Sequence, residues 1–177
     1  MNRMISDLAD VTHIETRRLD LARQPIDIDV LVRESVEQQR VMSPDRVINL
    51  HVDASIPKVS VDATRIEQVL GNLLVNALKY SDSETALEVE VRQVNDEVRV
   101  LVTNRGPDIS AEELPKLFDR YYRTPTARGG SAHGLGMGLY IAKGLMEAHG
   151  GRIWAESRLG QTTFPFALPR MREGAFH

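Results

Sequence analysis

Three polar side chains in the segment 72–80 have a spacing that could support chemistry. Asn72, Asn76 and Lys79 occupy positions i, i+4 and i+7, so on a helix they share one narrow stripe. Asn is a poor residue in a helix interior because its amide competes with the backbone for hydrogen bonds. Neutral oxygens beside an ammonium group suit a hard cation with phosphates. An isolated Asn-x-x-x-Asn pair would instead favour a solvated helix face.

Two further segments could contact a ligand. Residues 134–139, Gly-Leu-Gly-Met-Gly-Leu, open a predicted helix, where backbone N–H groups and the helix dipole can meet an anion. This pattern is weak alone and does not match the dinucleotide fingerprint. Residues 104–109, Asn-Arg-Gly-Pro-Asp-Ile, end an apolar strand with an amide that could face a planar ligand. By itself this second segment indicates only a turn.

The rest of the sequence predicts the elements that position these groups. Asp62 is the expected N-cap of the helix that carries the amides. Its apolar side should comprise Ile66, Val69, Leu70, Leu73, Leu74 and Ala77. The other predicted helices lie within 1–20, at 30–42 and at 138–149, the last closed by Gly150-Gly151. The predicted extended segments and strands are 23–29, 47–54, 86–93, 97–103, 152–156 and 163–168.

Two loops complete the predicted organisation. Residues 110–113, Ser-Ala-Glu-Glu, form a capping box that opens a short helix, which Pro115 is expected to interrupt. Residues 124–133 lack periodicity and are rich in small polar residues and glycine, so they predict a mobile loop. The helical stripe within 1–20 has no start signal, so we expect the chain to begin inside a longer helix.

Composition narrows the possible functions. A net charge of −3 offers no electrostatic basis for binding nucleic acid or an anionic membrane. The chain contains no cysteine, which excludes disulfides and thiolate metal sites and suits a cytoplasmic protein. No apolar run is long enough to span a membrane, and the five histidines show no zinc-site spacing.

Taken together and in this order, the segments resemble the catalytic and ATP-binding domain of sensor histidine kinases. This domain belongs to a superfamily shared with gyrase, mismatch-repair ATPases and a heat-shock chaperone. The segment 72–80 resembles its asparagine box, 104–109 and 134–139 its first two glycine boxes, 118–121 its aromatic box and 160–164 its last glycine box. The resemblance spans about residues 25–169.

The resemblance implies an α/β fold, a two-layer sandwich of the Bergerat type with a mixed sheet and helices packed on one face. Residues 1–22 would be the end of a dimerisation-domain helix and a linker. Residues 23–170 would form the ATP-binding domain, and 171–177 a tail. ATP and Mg²⁺ are the implied cofactors.

The resemblance also implies roles for individual residues. Asn76 would bind Mg²⁺, while Asn72 and Lys79 would contact the phosphates as catalytic residues. Asn104 would read adenine, and residues 120–133 would form a lid anchored by Phe118 and Tyr121, although a core role suits these aromatics equally. The full expected nucleotide-binding set is Asn72, Asn76, Lys79, Tyr80, Asn104, Gly106, Ile109, Tyr122, Arg123, Gly134, Leu135, Gly136, Met137, Gly138, Leu139 and Thr163.

Three positions depart from the family pattern, and each could weaken ATP binding. Asn104 replaces the usual Asp, which removes a charge but keeps an oxygen acceptor. Asp108 stands where a glycine is usual and would add bulk and negative charge near the nucleotide. The segment Gly160-Gln161-Thr162-Thr163 lacks the second glycine of its box.

The expected activity is phosphoryl transfer to a histidine outside this fragment. His13 lacks the acceptor motif and is expected on an exposed helix face. The superfamily's hydrolases have a water-activating Glu where this chain has Asn72, which cannot accept a proton. The expected partners are the protein's own dimerisation and phospho-acceptor domain, within a homodimer, and a response regulator, whereas a monomer is compatible with the fragment alone. The alternatives are a catalytically silent nucleotide sensor and a protein-serine kinase of the anti-sigma type.

Overall fold

The computed structural model describes residues 2–124, 136–172 and 174. The first half contains α1 (Asn2–Glu15), β1 (Gln24–Ile26), α2 (Ile28–Met42), β2 (Ile48–Val52), β3 (Val59–Val61) and α3 (Ala63–Tyr80). The second half contains β4 (Leu87–Val94), β5 (Glu97–Arg105), a 3-10 helix (Leu114–Phe118), α4 (Gly138–Ala148), β6 (Arg152–Ile153), β7 (Glu156–Arg158) and β8 (Gln161–Pro169).

A mixed sheet forms one layer of the described structure. Its strands are ordered β2-β4-β5-β8-β6, and β7 also pairs with β8. The β2–β4 pair is parallel, whereas β4, β5 and β8 pair antiparallel. Residues of β5 alternate between a buried helix-facing side and a more exposed side, as expected for a sheet covered on one face. A separate antiparallel pair joins β1 to β3.

The helices form the second layer, so the predicted two-layer α/β sandwich is confirmed. Helix α3 lies between α2 and α4. All six residues predicted for its apolar side are buried. Burying a Leu or Ile side chain contributes about 1.5–3 kcal/mol, so this face anchors α3 to the sheet. As predicted, Asp62 caps α3, and its carboxylate accepts a hydrogen bond from the Arg65 backbone N–H.

The prediction of one strand at 152–156 is wrong, because the chain forms two short strands in this region, β6 and β7. β6 and β7 keep a single register against β8, in which Arg152 lies opposite Ala167 and Glu156 opposite Thr163. Between them, the Trp154 backbone N–H donates to the Pro165 carbonyl at 3.1 Å. Proline has no N–H to return the bond, so the ladder breaks at this point.

Other boundaries also differ from the prediction. Helix α2 begins at Ile28, and β3 was not predicted as a strand. Pro115 lies in the first turn of the 3-10 helix, where a missing N–H costs nothing, so it starts this helix rather than interrupting one. The Ser110 hydroxyl accepts a hydrogen bond from the Glu113 N–H, which is one half of the predicted capping box.

Helix α1 packs against both α3 and α4. Asp10 is only 4% exposed, and its carboxylate accepts hydrogen bonds from Arg65 at 2.8 Å and from Gln68 at 2.6 Å. Ile14 lies so close to Gly144 that a Cβ on this glycine would be 2.7 Å from the Ile14 side chain. No helix among the described residues is long and apolar enough to cross a membrane.

Candidate functional site

The predicted polar stripe of α3 lies opposite its buried face. Asn72, Asn76 and Lys79 are all half-buried. The Asn76 side-chain amide makes no hydrogen bond to another described residue. Asn72 is engaged, because its Nδ2 donates to the Gly138 carbonyl at 3.1 Å and its Oδ1 accepts from Arg3 at 3.5 Å. The two amides therefore differ, and only that of Asn76 has its hydrogen-bonding capacity unused within this part of the chain.

Positive charge is concentrated at the C-terminal end of the stripe. Burial lowers the pKa of Lys79, and the nearby Arg123 guanidinium lowers it further. Such shifts arise when a cation is partly desolvated beside a like charge, and an anion between the two would relieve both effects. The Lys79 ammonium also lies 5.6 Å from the centre of the Tyr80 ring. This end of α3 therefore carries two neighbouring cations that an anionic ligand could contact.

The described part of the second glycine segment leads into α4. Gly136 has φ +67°, and a Cβ there would lie 2.8 Å from the Tyr122 carbonyl oxygen, so this glycine is required by the fold. The Gly136 carbonyl accepts a hydrogen bond from the Tyr121 N–H at 3.0 Å. A Cβ at Gly138 would make only ordinary contact with Asn72.

Other expected ligand residues in this region differ in what they can offer. The Met137 side chain is only 2% exposed and belongs to the core, which leaves its backbone for a ligand. Leu139 is half-buried and packs against the same core. Gly134, Leu135 and residues 125–133 of the predicted loop 124–133 lie outside the described residues.

Asn104 provides the second amide without an internal partner. It is 5% exposed and lies on the helix-facing side of β5, in line with Val98, Val100 and Val102. Its side chain makes no hydrogen bond to another described residue. Its amide oxygen and nitrogen are not among the fully buried, unbonded polar atoms of the described residues, so they remain accessible to a ligand that provides their hydrogen bonds.

Three hydrogen bonds connect the loop after Asn104 to β7 and the β7–β8 turn. The Gly106 N–H donates to the Gly160 carbonyl at 3.0 Å, and the Gly160 N–H donates to the Asp108 carboxylate at 2.7 Å. The Ile109 N–H donates to the Ser157 hydroxyl at 2.8 Å. Asp108, expected to place charge near a nucleotide, instead accepts a hydrogen bond from the last glycine segment. Two of the three departures from the family pattern thus contact each other.

The same loop also approaches the end of α3. A Cβ on Gly106 would lie 2.8 Å from the Tyr80 carbonyl oxygen. The glycine therefore allows the loop to pass directly over the C-terminus of the helix that carries Asn76 and Lys79. This contact brings the C-terminal end of α3 next to the loop that follows Asn104.

Thr163, expected to bind the nucleotide, lies on the other side of the sheet from Asn104. Its hydroxyl contacts that of Thr103 at 2.8 Å, whereas Asn104 lies opposite Thr162 in the β5–β8 register. Thr162 is 4% exposed, and its hydroxyl contacts that of Ser157 at 3.0 Å. Thr162 therefore replaces Thr163 in our interpretation. Alternation along β8 is the signal that could have separated the two threonines.

The aromatic residues divide between the core and the surface. Phe118 is buried and packs edge-on against Phe164, with ring centres 6.4 Å apart, so it has a core role. Tyr121 is exposed, has φ +63° and lies 4.9 Å from the Arg120 guanidinium. The Tyr122 hydroxyl donates to Glu113 at 3.3 Å. Arg120 also forms an ion pair with Glu15 of α1, a contact that the sequence did not predict.

The described residues also include His13 and the acidic side chains that could bind a metal ion. His13 is exposed on α1, as predicted. Among the described residues no group of three or more His, Cys, Asp or Glu side chains could hold a metal ion.

Comparisons with known proteins agree with this architecture. Residues 61–172 match the family model described as histidine kinase-, DNA gyrase B- and HSP90-like ATPase. The chain is 29% identical over 168 residues to the sensor protein kinase WalK of Staphylococcus haemolyticus, covering 94% of this chain and 28% of WalK. It is 31% identical over 169 residues to the sensor protein KdpD of Clostridium acetobutylicum, covering 95% of this chain and 19% of KdpD. The chain thus spans less than a third of these curated relatives.

Solved structures give the same result. Full-length ShkA in complex with AMPPNP aligns with a TM-score of 0.79 and 26% identity, covering 98% of this chain and 37% of ShkA. The histidine kinase ThkA in complex with the response regulator protein TrrA aligns with a TM-score of 0.74 and 26% identity, covering 98% of this chain and 50% of that chain. The expected family is therefore confirmed, and this chain belongs to the histidine kinase-, DNA gyrase B- and HSP90-like ATPase family as a domain of the sensor histidine kinase type.

Proposed function

We propose that this chain binds Mg-ATP and acts as the ATP-binding catalytic domain of a two-component sensor histidine kinase. One observation carries the proposal. Asn76 on α3 and Asn104 on β5 both have amides without an internal hydrogen bond among the described residues, and the Gly106–Tyr80 contact joins their elements. A nucleotide would satisfy both amides, with its base at Asn104 and its phosphates along α3.

The residues present fit a magnesium ion that arrives with the nucleotide. Mg²⁺ usually keeps several waters and binds through one or two protein oxygens plus substrate phosphates. Asn76 offers one such oxygen, and the described residues contain no acidic cluster that would form a complete protein cage. When bound, the ion would neutralise charge on the phosphates. Lys79 and Arg123 would add positive charge. The backbone N–H groups of Gly134, Gly136 and Gly138 would contact the phosphate oxygens.

The site is suited to transfer rather than hydrolysis. Asn72 has no group that can take a proton from water, and its amide already bonds Gly138 and Arg3. Catalysis would then rest on positioning and electrostatic stabilisation of an in-line transfer. An imidazole brings its own nucleophilicity, so the domain does not need to activate it.

The phosphate acceptor would be a histidine on the dimerisation domain of a longer, dimeric and cytoplasmic kinase module. Residues 1–22 would connect to that domain, residues 23–170 would form the ATP-binding domain, and 171–177 would be a tail. A response regulator would receive the phosphoryl group next, in line with the complex formed by the relative ThkA. One argument for the silent-sensor alternative was that Asp108 would place negative charge near the nucleotide. This argument is weakened, because the Asp108 carboxylate accepts a hydrogen bond from Gly160.

Calorimetric titration of the chain with AMPPNP, with and without Mg²⁺, tests this function. We expect Mg²⁺-dependent binding that Asn76→Ala weakens by at least about 100-fold, since the variant lacks the metal ligand. Asn49→Ala is the matched control, because Asn49 contacts Glu88 at the edge of the sheet and should not affect binding. Equal affinity in parent and folded Asn76→Ala would exclude the role of Asn76. No binding by the folded parent would refute the function.

A further inference from the structure

The Asn104 side chain has a property that an acidic residue would lack. Its amide carries one hydrogen-bond acceptor and two donors, and a half-turn about its terminal bond exchanges them. No described residue bonds this amide, so no internal contact selects one orientation.

The groups beside Asn104 are equally adaptable. Its cross-strand neighbour Thr162 presents a hydroxyl, which can donate or accept. That hydroxyl contacts Ser157, whose own hydroxyl accepts from the Ile109 N–H. Within the described structure, Asn104 therefore lies next to groups that can exchange their hydrogen-bonding roles.

The two purines differ at the edge that such a pocket would contact. Adenine presents an amine donor at position 6 beside the acceptor N1, whereas guanine presents a carbonyl acceptor beside an N1–H donor. One orientation of the Asn104 amide matches adenine at both positions, and the reversed orientation matches guanine at both. At position 6, an ionised carboxylate, which only accepts, suits the adenine amine but would be repelled by the guanine carbonyl.

Hydrogen bonds hold the backbone around Asn104 in place. Hydrogen bonds from Gly106 to Gly160, from Gly160 to Asp108 and from Ile109 to Ser157 tie the loop to the β7–β8 turn. An exchange of purines would then require only rotation of one amide, not movement of the loop.

We infer that Asn104 makes the nucleotide site permissive for the purine base, so that the chain binds guanosine as well as adenosine triphosphates. This inference rests on the proposed nucleotide-binding function and specifies its ligand class.

The test is calorimetric titration of the full chain with Mg-AMPPNP and Mg-GMPPNP. In the parent protein the two dissociation constants should lie within about tenfold of each other. Asn104→Asp should keep AMPPNP affinity within a few-fold and weaken GMPPNP by at least about tenfold. Asn104→Ser, with a hydroxyl that can donate or accept, should keep the ratio close to that of the parent.

Asn95→Asp is the matched control, because Asn95 lies in the exposed β4–β5 turn, where Asp tolerates the φ of +55°. It should leave both affinities unchanged. Tight AMPPNP binding with GMPPNP weaker by more than about tenfold in the parent would overturn this inference and leave the proposed function intact. An unchanged affinity ratio in folded Asn104→Asp would also overturn it. Failure of both ligands to bind would refute the proposed function itself.

Discussion

The two ends of the proposed nucleotide site are built differently. At the base end, three hydrogen bonds within residues 106–160 position the loop that follows Asn104, and all of them lie inside the sheet layer and its turns. At the phosphate end, Asn72 bonds Gly138 of α4 and Arg3 of α1, and Arg120 pairs with Glu15 of α1. The base end is therefore pre-organised by contacts within the sheet layer, whereas the phosphate end also depends on where α1 lies.

The contacts of α1 are unequal in strength. The Arg3–Asn72 contact is long and exposed, and such contacts contribute little. The Asp10 carboxylate is almost fully buried against Arg65 and Gln68, and removal of one partner from a buried pair is costly. Asp10 therefore anchors the helix, while Arg3 and Glu15 connect it to the site.

The largest effect is expected for Asp10→Ala, which should lower the free energy of unfolding by about 3 kcal/mol because Arg65 loses its buried partner. Urea unfolding would measure the loss, and hydrogen exchange should increase in α1. The variant should weaken Mg-AMPPNP binding. It should leave adenosine affinity unchanged, since adenosine contacts only the base end. Asp27→Ala, which removes a half-exposed ion pair with Lys58, is the control and should cost under about 1 kcal/mol. A parallel loss of adenosine affinity would show that the two ends are not independent.

An intermediate effect on stability is expected at Gly136, which contacts the backbone of Tyr121 and Tyr122. Gly136→Ala should destabilise the fold by about 1–3 kcal/mol, because it combines a positive φ with a backbone overlap at Tyr122. Gly138→Ala is its matched partner and should change stability by less than about 0.5 kcal/mol, because its Cβ has room beside Asn72. Thermal unfolding of both variants gives the comparison. Equal destabilisation by the two substitutions would contradict this difference and show that the fold requires glycine at both positions.

The smallest effect is expected at the base end. Asp108→Ala removes the exposed acceptor of the Gly160 N–H and should cost about 1 kcal/mol or less, since water can replace the carboxylate. Adenosine affinity should fall several-fold, because the loop after Asn104 loses one of its three ties. Glu112→Ala, on the exposed loop nearby, serves as the control. Unchanged adenosine affinity in Asp108→Ala would show that the other two hydrogen bonds suffice to hold the loop.

Local patterns predicted much of this molecule correctly. The 3.6-residue period of α3 identified both its buried face and its polar stripe, and the residue type at Asp62 identified the cap. Alternation of apolar residues located the β4–β5 hairpin, whose strands pair around Asn95. These features depend on neighbours within one or two turns of chain, so the sequence contains the information directly.

What the sequence could not decide depends on residues distant along the chain. Pro165 of β8 interrupts the hydrogen-bond ladder that would otherwise make β6 and β7 one strand. The β5–β8 register places Thr162, not Thr163, on the same face of the sheet as Asn104. The Asp108–Gly160 bond and the burial of Asp10 against Arg65 likewise join segments about 50 residues apart. The sequence by itself determined the amide stripe, its helix and the family. Only tertiary structure determined which side chains meet across the sheet and between helices, because strand register and helix packing are collective outcomes of burial.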